Sequence, residues 1–62
     1  MSNCTWVALL EDNETGRLSQ RYFRYFAFAE EEEALKDLQE ELSPSYTVLE
    51  VSTNPYKYKN MV

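Results

Sequence analysis

The sequence predicts a small α+β protein in which a three-stranded sheet carries one helix on one face, in the order β-β-α-β. Between residues 21 and 29, aromatic and small residues alternate with the period of a strand. From residue 30 to residue 42, apolar residues recur at spacings of three and four, as on one face of an amphipathic helix. The 62 residues are enough for one domain, and nine aromatic side chains (one Trp, five Tyr, three Phe) can supply much of its core.

The first strand is predicted over residues 4–11. Trp6, Ala8 and Leu10 fall on one face, and Thr5, Val7 and Leu9 fall on the other. Both faces are partly apolar, which favours a central position in the sheet. Turn-forming residues 12–16 follow, and Gly16 can take a positive φ, so we expect a hairpin with the second strand.

The second strand is predicted over residues 18–27, with a bulge near Arg24 that reconciles two competing aromatic faces. The third strand is predicted over residues 46–53, with Thr47, Leu49 and Val51 on one face. If the helix makes a right-handed crossover, we expect this strand to lie beside the first strand and parallel to it. The second and third strands are then the edges of the sheet.

The predicted helix begins without a Ser, Thr, Asp or Asn cap, and the carboxylates of Glu30 to Glu33 lie against the positive end of its dipole instead. Its apolar stripe contains Ala34, Leu35, Leu38 and Leu42. Glu32 and Lys36 are spaced as a favourable ion pair. Pro44 ends the helix, because the residue before a proline disfavours helical geometry.

The domain spans residues 1–62, with an ordered core over residues 4–53 and a basic, aromatic tail over residues 54–62. We expect the tail to be loosely held. The sheet face away from the helix then has no cover, and we expect the aromatic residues exposed there to include some of Tyr22, Trp6 and Tyr46.

Composition excludes several kinds of function. The net charge of −5 argues against direct, nonspecific binding of nucleic acid or of an anionic membrane. One cysteine and no histidine leave no intramolecular disulfide, no Cys/His metal site and no histidine base for nucleophilic catalysis. We therefore expect a cytoplasmic protein that is not an enzyme and needs no cofactor and no metal.

The charges are unevenly distributed, which predicts a bipolar surface for a protein partner with a basic groove. The strand cations are candidate anchors: Arg17, Arg21 and Arg24. The complementary acids lie on the predicted solvent face of the helix: Glu32, Glu33, Asp37 and Glu40. The edge arginines are equally explained as protection against edge-to-edge aggregation, and the acids as a solvated helix face.

The chain resembles the very short inhibitors of bacterial RNA polymerase that some lytic podophages encode. The resemblance covers most of the chain and is carried by these segments: Trp6-Val7-Ala8, Phe26-Ala27-Phe28-Ala29, Glu32-Glu33-Ala34-Leu35 and residues 44–51. It implies the same β-β-α-β fold and a protein that wedges against the jaw and cleft of the polymerase. That family uses arginines of its third strand, where this chain has Glu50 and Ser52, so only Arg17, Arg21 and Arg24 are available for a similar role.

We therefore expect a non-enzymatic, acidic interaction module, encoded by a phage, that inhibits a host complex such as RNA polymerase. A first alternative is a mimic of nucleic-acid phosphates that inhibits a defence enzyme, as anti-CRISPR or anti-restriction proteins do. A second is an acidic antitoxin or accessory subunit that covers a basic partner.

Overall fold

The computed structural model describes residues 2–61 and has the predicted element order. Its elements are β1 (Asn3–Asp12), β2 (Leu18–Phe26), α1 (Glu31–Leu42) and β3 (Tyr46–Ser52). The strands form one sheet in the order β2-β1-β3, and α1 covers one face. The predicted fold class and the central position of β1 are confirmed. Among the described residues, no helix is long and apolar enough to cross a membrane.

The predicted direction of β3 is wrong, because β3 pairs antiparallel to β1. The connection through α1 starts from β2, so the crossover makes β3 parallel to β2 rather than to β1. Since β2 is itself antiparallel to β1, both edge strands run opposite to the central strand. The crossover passes over β1 and places α1 above it.

The hairpin between β1 and β2 is closed by Asp12 and Gly16. The Asp12 carboxylate accepts hydrogen bonds from the backbone N–H groups of Glu14 and Thr15, at 2.8 and 3.2 Å. Gly16 has φ of +75°, a conformation that side-chain-bearing residues rarely adopt. The turn therefore fixes the register of the hairpin, as the sequence predicts.

The bulge lies in β3 and not in β2. Pairing between β1 and β2 is continuous from Asn3 opposite Phe26 to Glu11 opposite Leu18. Between β1 and β3, the register changes at Leu9/Leu10, so Leu49 is an extra residue. Because the bulge reverses the alternation, Val48 and Val51 both face the helix, contrary to the predicted faces of this strand.

The main core lies between the sheet and α1. It contains seven buried residues: Trp6, Ala8, Leu10, Ala34, Leu38, Val48 and Val51. The Trp6 ring lies 6.3 Å from the ring of Phe23 and 6.2 Å from that of Tyr25, centroid to centroid. Trp6 is 1% exposed, so it does not belong to the exposed aromatics for which it was one of three candidates; its face is the one that α1 covers.

Two amide side chains hold the helix end and the loops in place. The Gln39 amide donates to the carbonyl of Tyr46 at 2.9 Å and accepts from the N–H of Val48 at 2.8 Å. The Asn13 amide donates to the carbonyl of Pro44 at 2.7 Å and accepts from the Thr47 hydroxyl at 2.7 Å. The Gln39 amide thereby occupies the outer edge of β3 much as a neighbouring strand would.

The C-terminal segment covers the other face of the sheet. Tyr58 is fully buried against Val7 and Leu9, and the Tyr22 hydroxyl donates to the carbonyl of Pro55 at 3.2 Å. The expectation of a loosely held tail over an uncovered face is therefore wrong for this segment. The apolar second face of β1 recruits an aromatic side chain from the tail. Tyr22 itself is 52% exposed, as expected, and Tyr46 is half-buried.

Replacing Leu38 by Ala is expected to lower the free energy of unfolding by about 2–5 kcal/mol, because the side chain is 5% exposed. Leu49→Ala is the matched control, since Leu49 is 44% exposed and its loss should cost less than about 1 kcal/mol. Urea denaturation followed by circular dichroism measures both. Equal midpoints for the two variants would contradict the observed stripe of α1.

Replacing Tyr58 by Ala is expected to lower the free energy of unfolding by about 3 kcal/mol or more, because a fully buried aromatic ring is lost. Tyr56→Ala, two residues away and 72% exposed, should change it by less than about 0.5 kcal/mol. Thermal and urea denaturation distinguish the two. If both variants are as stable as the parent, the tail does not contribute to the fold.

Candidate protein-binding surface

The first turn of α1 carries a dense negative charge. Glu31, Glu32 and Glu33 all lie in it, and Glu30 occupies the N-cap position without a side-chain cap hydrogen bond. These carboxylates interact favourably with the positive end of the helix dipole, which replaces part of the missing cap. The last turn has no basic residue, so the helix as a whole is strongly acidic.

Glu33, Asp37 and Glu40 form a row of exposed carboxylates along one side of α1, which we call the acidic flank. Their spacings of four and three residues place successive members about 5–6 Å apart. The flank faces the β2 side of the sheet, because the Tyr25 hydroxyl of β2 donates a hydrogen bond to the Asp37 carboxylate. Three of the four predicted acidic site residues therefore share one row.

The bond between Tyr25 and Asp37 fixes the middle of the acidic flank. Accepting this hydrogen bond, the Asp37 carboxylate raises the pKa of Tyr25 to about 12, with smaller contributions from burial and from the charge of Glu33. The phenol therefore remains protonated and donating at neutral pH. Its hydrogen bond orients the Asp37 side chain.

An exposed aromatic residue lies at the start of this flank. Phe28, in the loop before α1, is 94% exposed, and Phe26 at the end of β2 is 44% exposed. Together with Ser2, Ala29 and Glu33, they line a shallow open cavity of about 310 Å³. An apolar ring that is adjacent to carboxylates suits a partner with a basic and apolar surface.

The fourth predicted acid, Glu32, lies outside the row, one residue before Glu33. Its expected ion pair with Lys36 is not formed; within residues 2–61 the one ion pair is between Lys57 and Glu50, at 3.5 Å. Both members of that pair are 48% exposed, so it contributes little to stability. The helix carboxylates therefore have no cationic partner among the described residues.

The predicted arginine anchors do not form one patch. Arg21 lies on the helix face of the sheet, with its guanidinium carbon 5.8 Å from the ring centre of Tyr46. Arg17, in the hairpin turn, borders a cavity that Tyr46 also lines. Arg24 lies on the opposite face, opposite Thr5, and its guanidinium reaches the Asn3 carbonyl at 3.5 Å. Residues 21 and 24 are three apart on a strand, so their side chains point to opposite faces.

Comparison with protein-family models, curated proteins and solved structures gives no match. The fold and the surface define a small α+β protein with an acidic helix and an exposed aromatic residue beside it. Sequence reasoning missed Phe28 as a surface residue, since the alternation of β2 runs through it. The signal was its place two residues before a run of four glutamates, where the chain leaves the sheet.

The stability contributed by the Tyr25–Asp37 bond is expected to disappear at high pH. Because the pKa of Tyr25 rises from 10.0 to about 12 on folding, this contribution is fully present below pH 10 and is lost as the pH rises through about 12. Tyr25→Phe should therefore lose less stability than the parent between pH 9 and pH 12. Urea midpoints across this range measure the difference.

Tyr56→Phe is the control, because Tyr56 is exposed. It should follow the parent at every pH. Identical pH profiles for the parent and Tyr25→Phe would show that the hydrogen bond does not contribute to folding.

Proposed function

We propose that this protein is a non-enzymatic interaction module that applies its acidic flank to a basic groove of a larger protein and blocks it. The observation that carries the proposal is the row of Glu33, Asp37 and Glu40, which has no cationic partner within residues 2–61 and begins beside the exposed ring of Phe28. Ordinary solubility accounts for scattered charge. It does not account for an apolar ring exposed at one end of a charged row.

The two parts of this surface have different tasks. Uncompensated carboxylates steer a basic partner and orient its approach, which raises the association rate more than the affinity. Affinity comes mainly from a few desolvated anchors, for which aromatic rings are favoured. Phe28 and Phe26 supply such anchors next to Glu33.

A host RNA polymerase is the first partner to test. The resemblance to podophage polymerase inhibitors supports it, and such a protein would be phage-encoded, act in the host cytoplasm and serve host takeover. Because β3 has Glu50 and Ser52 where that family has arginines, the contacts here would come from the acidic flank and from Phe28. Arg17 and Arg21, which both border Tyr46, and Arg24 on the other face would contact acidic parts of the partner.

The regular spacing of the acidic flank favours a second candidate, mimicry of nucleic-acid phosphates. A row of carboxylates about 5–6 Å apart on a rigid helix presents negative charge in a line. The partner would then be a nucleic-acid-handling defence enzyme. Such an inhibitor competes with nucleic acid for the groove, whereas a wedge between polymerase domains need not.

Affinity capture with the tagged protein from bacterial lysate, with and without nuclease, tests the proposal. The captured proteins are identified by mass spectrometry, and purified RNA polymerase is tested separately in a transcription assay. Stoichiometric, nuclease-resistant capture of polymerase with loss of transcription supports the first candidate. Binding to nucleic acid alone, with affinity that falls as salt rises, would overturn the proposal.

Neutralising the acidic flank is expected to weaken partner binding by at least about tenfold while the fold remains intact. The variant is Glu33→Gln, Asp37→Asn and Glu40→Gln combined. Its control removes the same charge away from the flank, through Glu11→Gln, Glu14→Gln and Glu31→Gln. Surface plasmon resonance against the captured partner, at two salt concentrations, compares them.

Phe28→Ala is expected to leave the association rate constant unchanged and to raise the dissociation rate constant, since the ring contributes after docking. Surface plasmon resonance measures both rate constants.

Equal binding by both triple variants would show that only the net charge of the protein matters. In that case the acidic flank is not the interface.

A further inference from the structure

We propose that β2 pairs with β2 of a second copy of this chain, antiparallel and centred on Tyr22, so that two sheets join into one. This inference goes beyond the proposed function, because it concerns the assembly state and uses a different surface. It rests on the free edge of β2, on the order of residues along that edge and on the charges around it.

The direction of the peptide groups in β2 follows from its hydrogen bonds to β1. The Ala27 N–H donates to the Ser2 carbonyl at 3.0 Å, and the Asp12 N–H donates to the Arg17 carbonyl at 2.8 Å. Alternate residues of an antiparallel strand point their peptide groups to the same side. The odd-numbered residues of β2 therefore bond to β1, and the even-numbered residues point to the free edge.

The two edges of the sheet differ in how they are covered. At β3, the Gln39 amide occupies the outward groups of Tyr46 and Val48. At β2, the strand runs for nine residues without a bulge and without a proline. Bulges and prolines usually protect an edge strand from pairing, and β2 has neither. Of its outward groups, the carbonyl of Phe26 is engaged, by the N–H of Ala29.

The order of residues along this edge is self-complementary. In an antiparallel pair centred on Tyr22, Leu18 lies opposite Phe26 of the second copy, Gln20 opposite Arg24, and Tyr22 opposite Tyr22. Gln20, Tyr22 and Arg24 would exchange about six main-chain hydrogen bonds, two for each pair. No two arginines lie directly opposite each other in this register.

The same register covers side chains that the monomer leaves exposed. Leu18, Tyr22 and Phe26 share the face opposite α1 and are 45, 52 and 44% exposed. Pairing places each of them beside an apolar residue of the second copy, and such cross-strand pairs are favourable.

The acidic helices do not prevent this pairing. Tyr25 of β2 holds Asp37 in the middle of each acidic flank, and in this register the two copies of Tyr25 would lie six residues apart along the strands, about 20 Å. That distance exceeds the Debye length of about 8 Å at physiological salt. The two helices lie on the same face of the joined sheet, so the pair would present two acidic flanks. Their residual repulsion predicts dimerisation that strengthens as salt rises.

Sedimentation velocity of the full chain between about 10 µM and 1 mM tests the proposal, a range suited to a small interface. We expect a concentration-dependent change from monomer to dimer, stronger at 0.5 M than at 0.05 M salt. Arg24→Pro removes an N–H that points to the free edge, so the fold should be kept, which circular dichroism verifies. It should raise the dissociation constant at least about tenfold, whereas Arg24→Ala, which keeps this N–H, should raise it less.

Cross-linking tests the register. In a Cys4→Ser background, Tyr22→Cys should form a disulfide-linked dimer on oxidation, since the two residues lie opposite each other. Arg24→Cys should not, because the two copies of residue 24 would be about 14 Å apart along the strands. A protein that stays monomeric up to 1 mM, or equal cross-linking of the two variants, would overturn the proposal.

Discussion

The structure depends on a central strand that must be covered on both faces. β1 carries Trp6, Ala8 and Leu10 towards α1, and Val7 and Leu9 towards the C-terminal segment. All five residues are at most 4% exposed. A three-stranded sheet with one helix has only one natural cover, so the second face requires the tail. Tyr58 provides it, and burial, with the nearby Glu50 carboxylate, raises the pKa of its hydroxyl.

The positions of the charged side chains follow from how α1 and β2 pack in this fold. With one side of α1 committed to the sheet, its carboxylates have only solvent or β2 to face. Asp37 is held by Tyr25, and the other members of the acidic flank have no cation beside them in the described part of the chain. The arginines are distributed over two faces by the alternation of β2. A partner therefore meets negative charge from one direction and positive charge from several.

The two edge strands of the sheet differ in how their outward peptide groups are covered. Gln39 closes the β3 edge from α1, so that edge contributes to holding the helix in place. Among residues 2–61 the β2 edge has no equivalent, and in the register centred on Tyr22 its arginines lie opposite Phe23 and Gln20 of the second copy. Arginine on an edge usually opposes association. Here the register centred on Tyr22 keeps the arginines apart, whereas registers that place one arginine opposite another are disfavoured.

Much of the fold can be predicted from the sequence, because the signals are local. Alternation in β1, the turn at Asp12 and Gly16, and the stripe of Ala34 and Leu38 are each set by residues close in the chain. The acidic row could be predicted in the same way, since helical spacing alone aligns Glu33, Asp37 and Glu40.

Only the tertiary structure decided the features that join distant residues. The bulge at Leu49 depends on fitting Val48 and Val51 against α1, and the burial of Tyr58 depends on which face α1 leaves open. The exposure of Phe28 depends on where the chain leaves the sheet. Local patterns determine which residues form a strand or a helix. Which apolar face remains to be covered is settled only when those elements pack together.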